Sequence, residues 1–320
     1  MNGCDIEKVF LSKALVLTLI WSLVVAMPVA ADSSGPRLAA YYDRFLALCG
    51  DSVFEWNDSD TPVKRMTGIK QVGVGKSNSY ALTEKGELLA WSDNPDKSIV
   101  LTDQVSSFYA GRSGLFAIRD DSTLWQFDTK SLFGFGEDIA GEPRQIIDNI
   151  LTASVGDSAN YYVTRDRELF VYGRAHRGQY GDGKLTSTES YVQTARDVIQ
   201  VVSHTGHALI LKQDGTVWGT GGNIYGPLGG HGYGDKAIEW GLIVDEVNAI
   251  ATGSSHSLAI KRDGSLWIWG RHAGLDPKQI MSSASAVAAG SSNTIALSKE
   301  TLWQWSTGSQ PKAIMKCENP

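Results

Sequence analysis

The sequence predicts an all-β fold, a seven-bladed β-propeller, and three observations carry that prediction. A unit of short alternating strands recurs along the chain. Glycine and tryptophan are abundant, at 34 and 10 of 320 residues. Helical periodicity is hard to find beyond residue 35. The clearest copy of the unit is Val247 to Gly270, VNAIATGSSHSLAIKRDGSLWIWG. Val247, Ile250 and Ala251 lead into a turn at Gly253. Ser257 to Ile260 alternates, and Asp263-Gly264 suits a tight hairpin whose central residues need positive φ. Ser265 to Trp269 alternates again, with Leu266 and Ile268 on one face and Trp267 and Trp269 on the other. Both faces are apolar, so this sheet must be covered on both sides, as sheets stacked around an axis are. Trp267 and Trp269 are accordingly expected to pack between blades.

Seven copies align on the Gly253 position, with anchors at Tyr41, Gly75, Gly111, Gly156, His204, Gly253 and Gly290. The first is the least obvious: Leu38 to Trp56 aligns without a gap to Val287 to Trp305. A fourth strand completes the unit. Four copies show it as a proline-led segment: Pro62 to Met66, Pro143 to Ile147, Pro277 to Met281 and Pro311 to Met315. Proline is tolerated at the start of an edge strand because no ladder donor is lost there. Four strands in each of seven units describe a propeller rather than a sandwich or an open solenoid.

The pattern at 247–270 resembles the regulator of chromosome condensation repeat, and the resemblance covers about residues 36–316. That family forms seven-bladed propellers. This chain departs from the pattern in places. The Asp-Gly turn is absent from the third, fourth and seventh copies. The usual asparagine and Gly-Gln-Leu-Gly survive as traces, in Gly178-Gln179-Tyr180-Gly181 and Gly226-Pro227-Leu228-Gly229. In this family a strand from one chain end can complete a blade built from the other. The resemblance therefore implies closure by pairing of the first strand, Leu38 to Ala40, with the last, Lys312 to Met315. Such pairing would remove two free edges. It would also place Cys49 and Cys317 at one face of one blade, where a disulfide would lock the ring. The chain-entropy model gives such a bond about 4–5 kcal/mol if unstrained.

The N-terminal segment stands apart. Lys8 and Lys13 precede an apolar run from Ala14 to Ala26, and Val29-Ala30-Ala31 has small residues at cleavage positions. Residues 1–31 read as a secretory signal peptide cut after Ala31, leaving 32–320 as one propeller domain. A retained membrane anchor is the alternative, but the run is shorter than the ~20 residues a spanning helix needs. The expected location is the periplasm or the exterior, where the two cysteines of the mature chain can oxidise.

Strand direction alternates within a unit, so the Gly253-type turns and the loops after the third strand share one face. On that face the loops after Phe127, Tyr172 and Gly221 are long and belong to consecutive blades. They carry Phe133, Phe135, His176, Tyr180, Tyr225, His231, Tyr233 and Trp240, the candidate protein-binding residues. Aromatics on loops of a rigid scaffold are common material for binding sites. Each ring could instead fold inward to pack its own loop.

No catalytic constellation is evident, so an enzyme is not expected. No His, Cys and Asp group has metal-ligand spacing, and His204, His207 and His256 fall at a repeated turn where a structural hydrogen bond is the simpler role. No cofactor is implied. The net charge of −6, from 29 Lys and Arg against 35 Asp and Glu, has no basic run, which argues against nucleic acid. The expected molecule is a monomeric, exported, non-catalytic module that binds another protein and no membrane once its signal is removed. Two alternatives stay open: a lectin-like propeller, and a secreted effector resembling an exchange factor for a small GTPase.

Overall fold

The computed structural model describes residues 37–58, 61–92, 94–112, 114–127, 143–230 and 234–317. The proposed signal segment lies outside them. The described residues form seven four-stranded antiparallel sheets, each built from a contiguous stretch of chain. A single 3-10 turn, Pro95–Lys97, is the one helical element among them. We call the sheets blades 1 to 7. Their innermost strands are Leu38–Tyr41, Ile69–Val74, Val105–Ala110, Ile150–Val155, Val198–Ser203, Val247–Thr252 and Ala286–Ala289. Each touches the innermost strand of the blade before and the blade after, and Leu38–Tyr41 meets Ala286–Ala289 to complete the ring.

Strand alternation sorts side chains onto the two faces of each blade, and both faces are buried against neighbours. Phe45, Trp56, Ile295 and Leu302 pack together between blades 7 and 1. Leu209, Val217, Leu228 and Trp269 do so between blades 5 and 6. Amides on the inner strands add directional links. Gln200 donates from Nε2 to the Ile250 carbonyl (3.2 Å) and accepts from the Ile250 N–H (3.1 Å), so it completes the main chain of the next blade. Gln71 does the same to Phe108.

The tight hairpins share one device. In blade 5, Asp214 Oδ1 accepts from the Thr216 N–H and hydroxyl, Thr216 Oγ1 accepts from Trp218 Nε1 at 2.9 Å, and Lys212 lies over the indole. Asp121, Thr123, Trp125 and Arg119 repeat this in blade 3, and Asp263, Ser265, Trp267 and Lys261 in blade 6. Trp267 is therefore a half-buried hairpin clasp, whereas Trp269 is fully buried between blades as expected.

The proline-led strands are outermost and largely exposed, which suits an edge position. The expected pairing of the first and last strands does not form. Blades 1 and 7 each already hold four strands of their own, Leu38–Tyr41 is innermost in its blade and Lys312–Lys316 outermost in its blade, so they share no edge. Closure is by face-to-face packing instead. The Cys49–Cys317 disulfide is present, but it joins neighbouring blades rather than two strands of one. Packing of adjacent blades brings the two Cα atoms to 4.9 Å, closer than two strand spacings in one sheet would allow.

Candidate functional site

The seven anchor positions end the innermost strands and so converge on the axis at one face. Glycine there is a packing requirement. A Cβ on Gly111 would fall 2.1 Å from the Val155 carbonyl oxygen, and one on Gly290 would fall 2.2 Å from that of Tyr42. Two anchors are not glycine, Tyr41 of blade 1 and His204 of blade 5. Their rings stack on each other, with centroids 5.4 Å apart and planes at 16°. Blades 1 and 5 are not neighbours in a ring of seven, so this contact spans the axis.

Polar groups from other blades surround the pair. Tyr41 donates its hydroxyl to Asp157 Oδ1 (3.1 Å), and Asp157 Oδ2 faces Arg112 Nη1 at 3.5 Å. His204 Nδ1 lies 2.9 Å from Thr205 Oγ1 and 3.4 Å from Ser254 Oγ, which donates to Ser291 Oγ. Burial holds the His204 imidazole below its ordinary pKa against the pull of Asp157, so it is neutral at neutral pH. Burial, and then Asp157, push the Tyr41 hydroxyl above its ordinary value. Six blades thus contribute to one plug that closes the axis. The signal in the sequence that could have marked it is the replacement of glycine at two aligned positions.

The other repeat histidines tie blades together. His207 Nε2 pairs with Thr252 Oγ1, and His256 Nε2 lies 3.0 Å from Thr294 Oγ1. Burial depresses both imidazoles, to about 3 and about 4. Among the described residues no group of three His, Cys, Asp or Glu could hold a metal ion.

The loop residues nominated by sequence divide into three groups. Phe133, Phe135, His231 and Tyr233 lie outside the described residues. His176 is exposed beside Arg174 and Arg177 on the blade 4 loop, and Tyr225 is half exposed on the blade 5 loop. Tyr180 and Trp240 turn inward. Tyr180 is 1% exposed, and its hydroxyl donates to the Gly173 carbonyl at 2.8 Å and accepts from the Thr188 N–H. Its place in Gly178-Gln179-Tyr180-Gly181 corresponds to Leu228 in Gly226-Pro227-Leu228-Gly229, and Leu228 is also fully buried. Each fills the cleft to the next blade, which is why Tyr180 presents no surface for binding. Trp240, on the outer strand Lys236–Val244, packs half-buried against the blade 4 and 5 core and against Gly181.

A polar cleft of about 350 Å³, marked by no motif in the sequence, also opens on this face, lined by Arg44, Trp56, Arg65 and Ser92. At its floor Glu55 accepts from Ser79 Oγ (2.7 Å) and Trp91 Nε1 (3.3 Å), and Arg65 pairs with it at 3.2 Å.

Residues 247–273 match the Regulator of chromosome condensation (RCC1) repeat. The chain is 23% identical over 197 residues to the Ultraviolet-B receptor UVR8 of Arabidopsis thaliana, over 52% of this chain and 45% of that one. It thus spans about half the length of that relative. Its fold is similar to that of Prp20p from Saccharomyces cerevisiae, with TM-score 0.67 and 17% identity over 82% of this chain and 83% of that one. It is likewise similar to yeast RCC1 (Prp20) in a complex with Kap60, with TM-score 0.69 and 17% identity over 81% and 79%. One repeat of the chain thus matches that repeat model, and the likeness to the solved propellers is one of fold.

Proposed function

We propose that this chain is an exported, non-catalytic propeller that binds another protein through the face bearing the axial plug and the blade 4 to 6 loops. The observation that carries the reading is apolar exposure on a rigid frame. Tyr42, Ile224, Tyr225 and Leu275 are 44%, 62%, 50% and 57% exposed at this face, on turns and strand ends pinned by the blades. Exposed aromatic and aliphatic groups held in place lose little entropy on binding. The similar propellers support a protein partner: Prp20p is described with binding properties to Gsp1p and histones, and yeast RCC1 in complex with Kap60. The lectin alternative is weakened, because among the described residues no tryptophan is exposed to stack a sugar. A role toward a small GTPase rests on fold likeness alone and is not favoured by any residue of this face.

The test is site-specific photo-crosslinking in the native host. A photoreactive phenylalanine analogue at Tyr42 should capture a discrete partner, and the same analogue at Lys85, in a hairpin turn on the opposite face, should not. Equal capture from both faces, or none from Tyr42, refutes the assignment. N-terminal sequencing of the released protein should begin at Asp32.

A further inference from the structure

We infer that the cleft edge between blades 5 and 6 is a recognition patch for an acidic segment of a partner protein, one with an apolar side chain set among carboxylates. This rests on the reading that the loop face binds protein.

The patch begins with a loop that cannot collapse. Asn223 Oδ1 accepts from the Leu228 N–H (2.9 Å), and its Nδ2 donates to the Gly229 carbonyl (3.3 Å). The Pro227 carbonyl accepts from Trp269 Nε1 and from Ser257 Oγ, both at 2.8 Å. These bonds fix the loop on both sides of Ile224 and Tyr225. The two side chains are left facing solvent while Leu228 fills the cleft below. Leu275, at the start of the outer strand of blade 6, lies against Gly226 and Gly230 of the same loop. Three exposed apolar side chains from two blades thus stand together.

Guanidinium groups flank them on both sides. Arg271 of blade 6 lies 4.7 Å over the Tyr225 ring, and its Nε approaches His272 Nε2 at 3.1 Å. Arg177 of blade 4 lies against Gly206 and Gly222, at the base of the loop. Among the described residues neither has a carboxylate partner. Arg65, Arg112 and Arg196, by contrast, pair with Glu55, Asp157 and Glu168. Asp276 Oδ1 also lies against Gly230 of this loop, and the Asp235 carbonyl accepts from the Asn223 N–H at 2.7 Å, but neither carboxylate pairs with these guanidiniums.

Arginine's planar fork suits bidentate recognition of a carboxylate. Arg271 is already held by its aromatic platform, so less side-chain freedom is lost on pairing. Tyrosine and arginine around a small apolar centre is the composition from which binding hot spots are made. A nucleic acid would satisfy the guanidiniums but leave the exposed Ile224, Tyr225 and Leu275 surface uncovered.

The test uses the full chain and fluorescence anisotropy. The probe is a labelled, glutamate-rich dodecapeptide with leucine and phenylalanine at its centre. Two further peptides replace its glutamates by lysine or its apolar pair by serine. Saturable binding of the first peptide is expected, with both altered peptides about tenfold weaker or more. The Arg177→Glu, Arg271→Glu double variant and, separately, Leu275→Ser should each weaken it about tenfold, whereas Lys85→Glu should not. All substituted side chains are exposed, and unchanged thermal melts confirm that folding is not the cause. Absence of saturable binding, equal binding of the lysine peptide, or indifference to both patch variants overturns the patch. A partner that crosslinks at Tyr42 and survives the double reversal overturns the patch alone. Failure of crosslinking at Tyr42 overturns the reading on which it rests.

Discussion

Removing the Cys49–Cys317 disulfide should loosen the ring without dissolving it. The bond spans a sequence separation of 268, nearly the whole propeller. The chain-entropy relation applied to that loop gives about 5–6 kcal/mol, more than the ~4–5 kcal/mol expected from the sequence and above the ~5 kcal/mol that disulfides deliver at most. No strand crosses between blades 7 and 1, so in the reduced protein the seam relies on packing around Phe45, Trp56 and Ile295, on Gln304, which accepts from Trp56 Nε1 (2.7 Å) and donates to Asp58 Oδ1 (3.0 Å), and on the Ser291 N–H bond to the Tyr42 carbonyl (3.2 Å). Opening at that seam lets the open chain fray from both ends, so the entropy term is not offset by any covalent or ladder connection. We expect a loss of about 3–5 kcal/mol. A unit of roughly 280 residues has an unfolding entropy near 0.6 kcal/mol/K, so the melting temperature should fall by about 5–8 °C. The assay is calorimetry of wild type and of the Cys49→Ala, Cys317→Ala double variant, each with and without reductant. Reductant should lower the wild-type transition to that of the variant and leave the variant unmoved. A variant melting within a degree of oxidised wild type, or alkylation of Cys49 and Cys317 in the native unreduced protein, refutes the reasoning.

Three further outcomes follow from the packing. Gly111→Ala forces apart blades 3 and 4, because its Cβ would lie 2.1 Å from backbone, and should cost about 3 kcal/mol or more by urea denaturation; Gly75→Ala, whose nearest neighbour is at 3.2 Å, should cost markedly less. His207 and His256 have folded pKa values below the unfolded 6.5, so the unfolded chain binds more protons below that value, and stability should decline as pH falls from 6.5 toward 4. At pH 5 the loss is about 2 kcal/mol per histidine, and His256→Asn, a residue the repeat already uses at 78 and 293, should flatten that limb in pH-dependent melts. Glu55→Ala leaves the buried Trp91 Nε1 and Ser79 hydroxyl without their acceptor and should cost about 2–4 kcal/mol; Glu55→Gln, which keeps an acceptor, should recover part of it.

How legible the molecule was depended on the range of the interaction. Blade number, strand order, the inward role of Trp269 and the shared face of the blade 4 and blade 5 loops follow from a repeat whose period is local. Alternation of side chains and the geometry of hairpin turns decide them within some forty residues. The repeat also held the fate of Tyr180, since it occupies the position of the buried Leu228, although its aromatic ring suggested a surface role. What the sequence alone could not supply is which distant residues meet. Tyr41 and His204 were visible as departures from glycine, but only ring closure sets them face to face across the axis. Closure itself went by blade packing rather than strand exchange, because each end of the chain already carried four strands of its own. The patch of Ile224, Tyr225, Leu275, Arg177 and Arg271 draws on three blades for the same reason. Periodicity determines a blade from its own residues, whereas a site at an interface depends on how one blade is rotated and seated on the next, and that is decided only when all seven pack together.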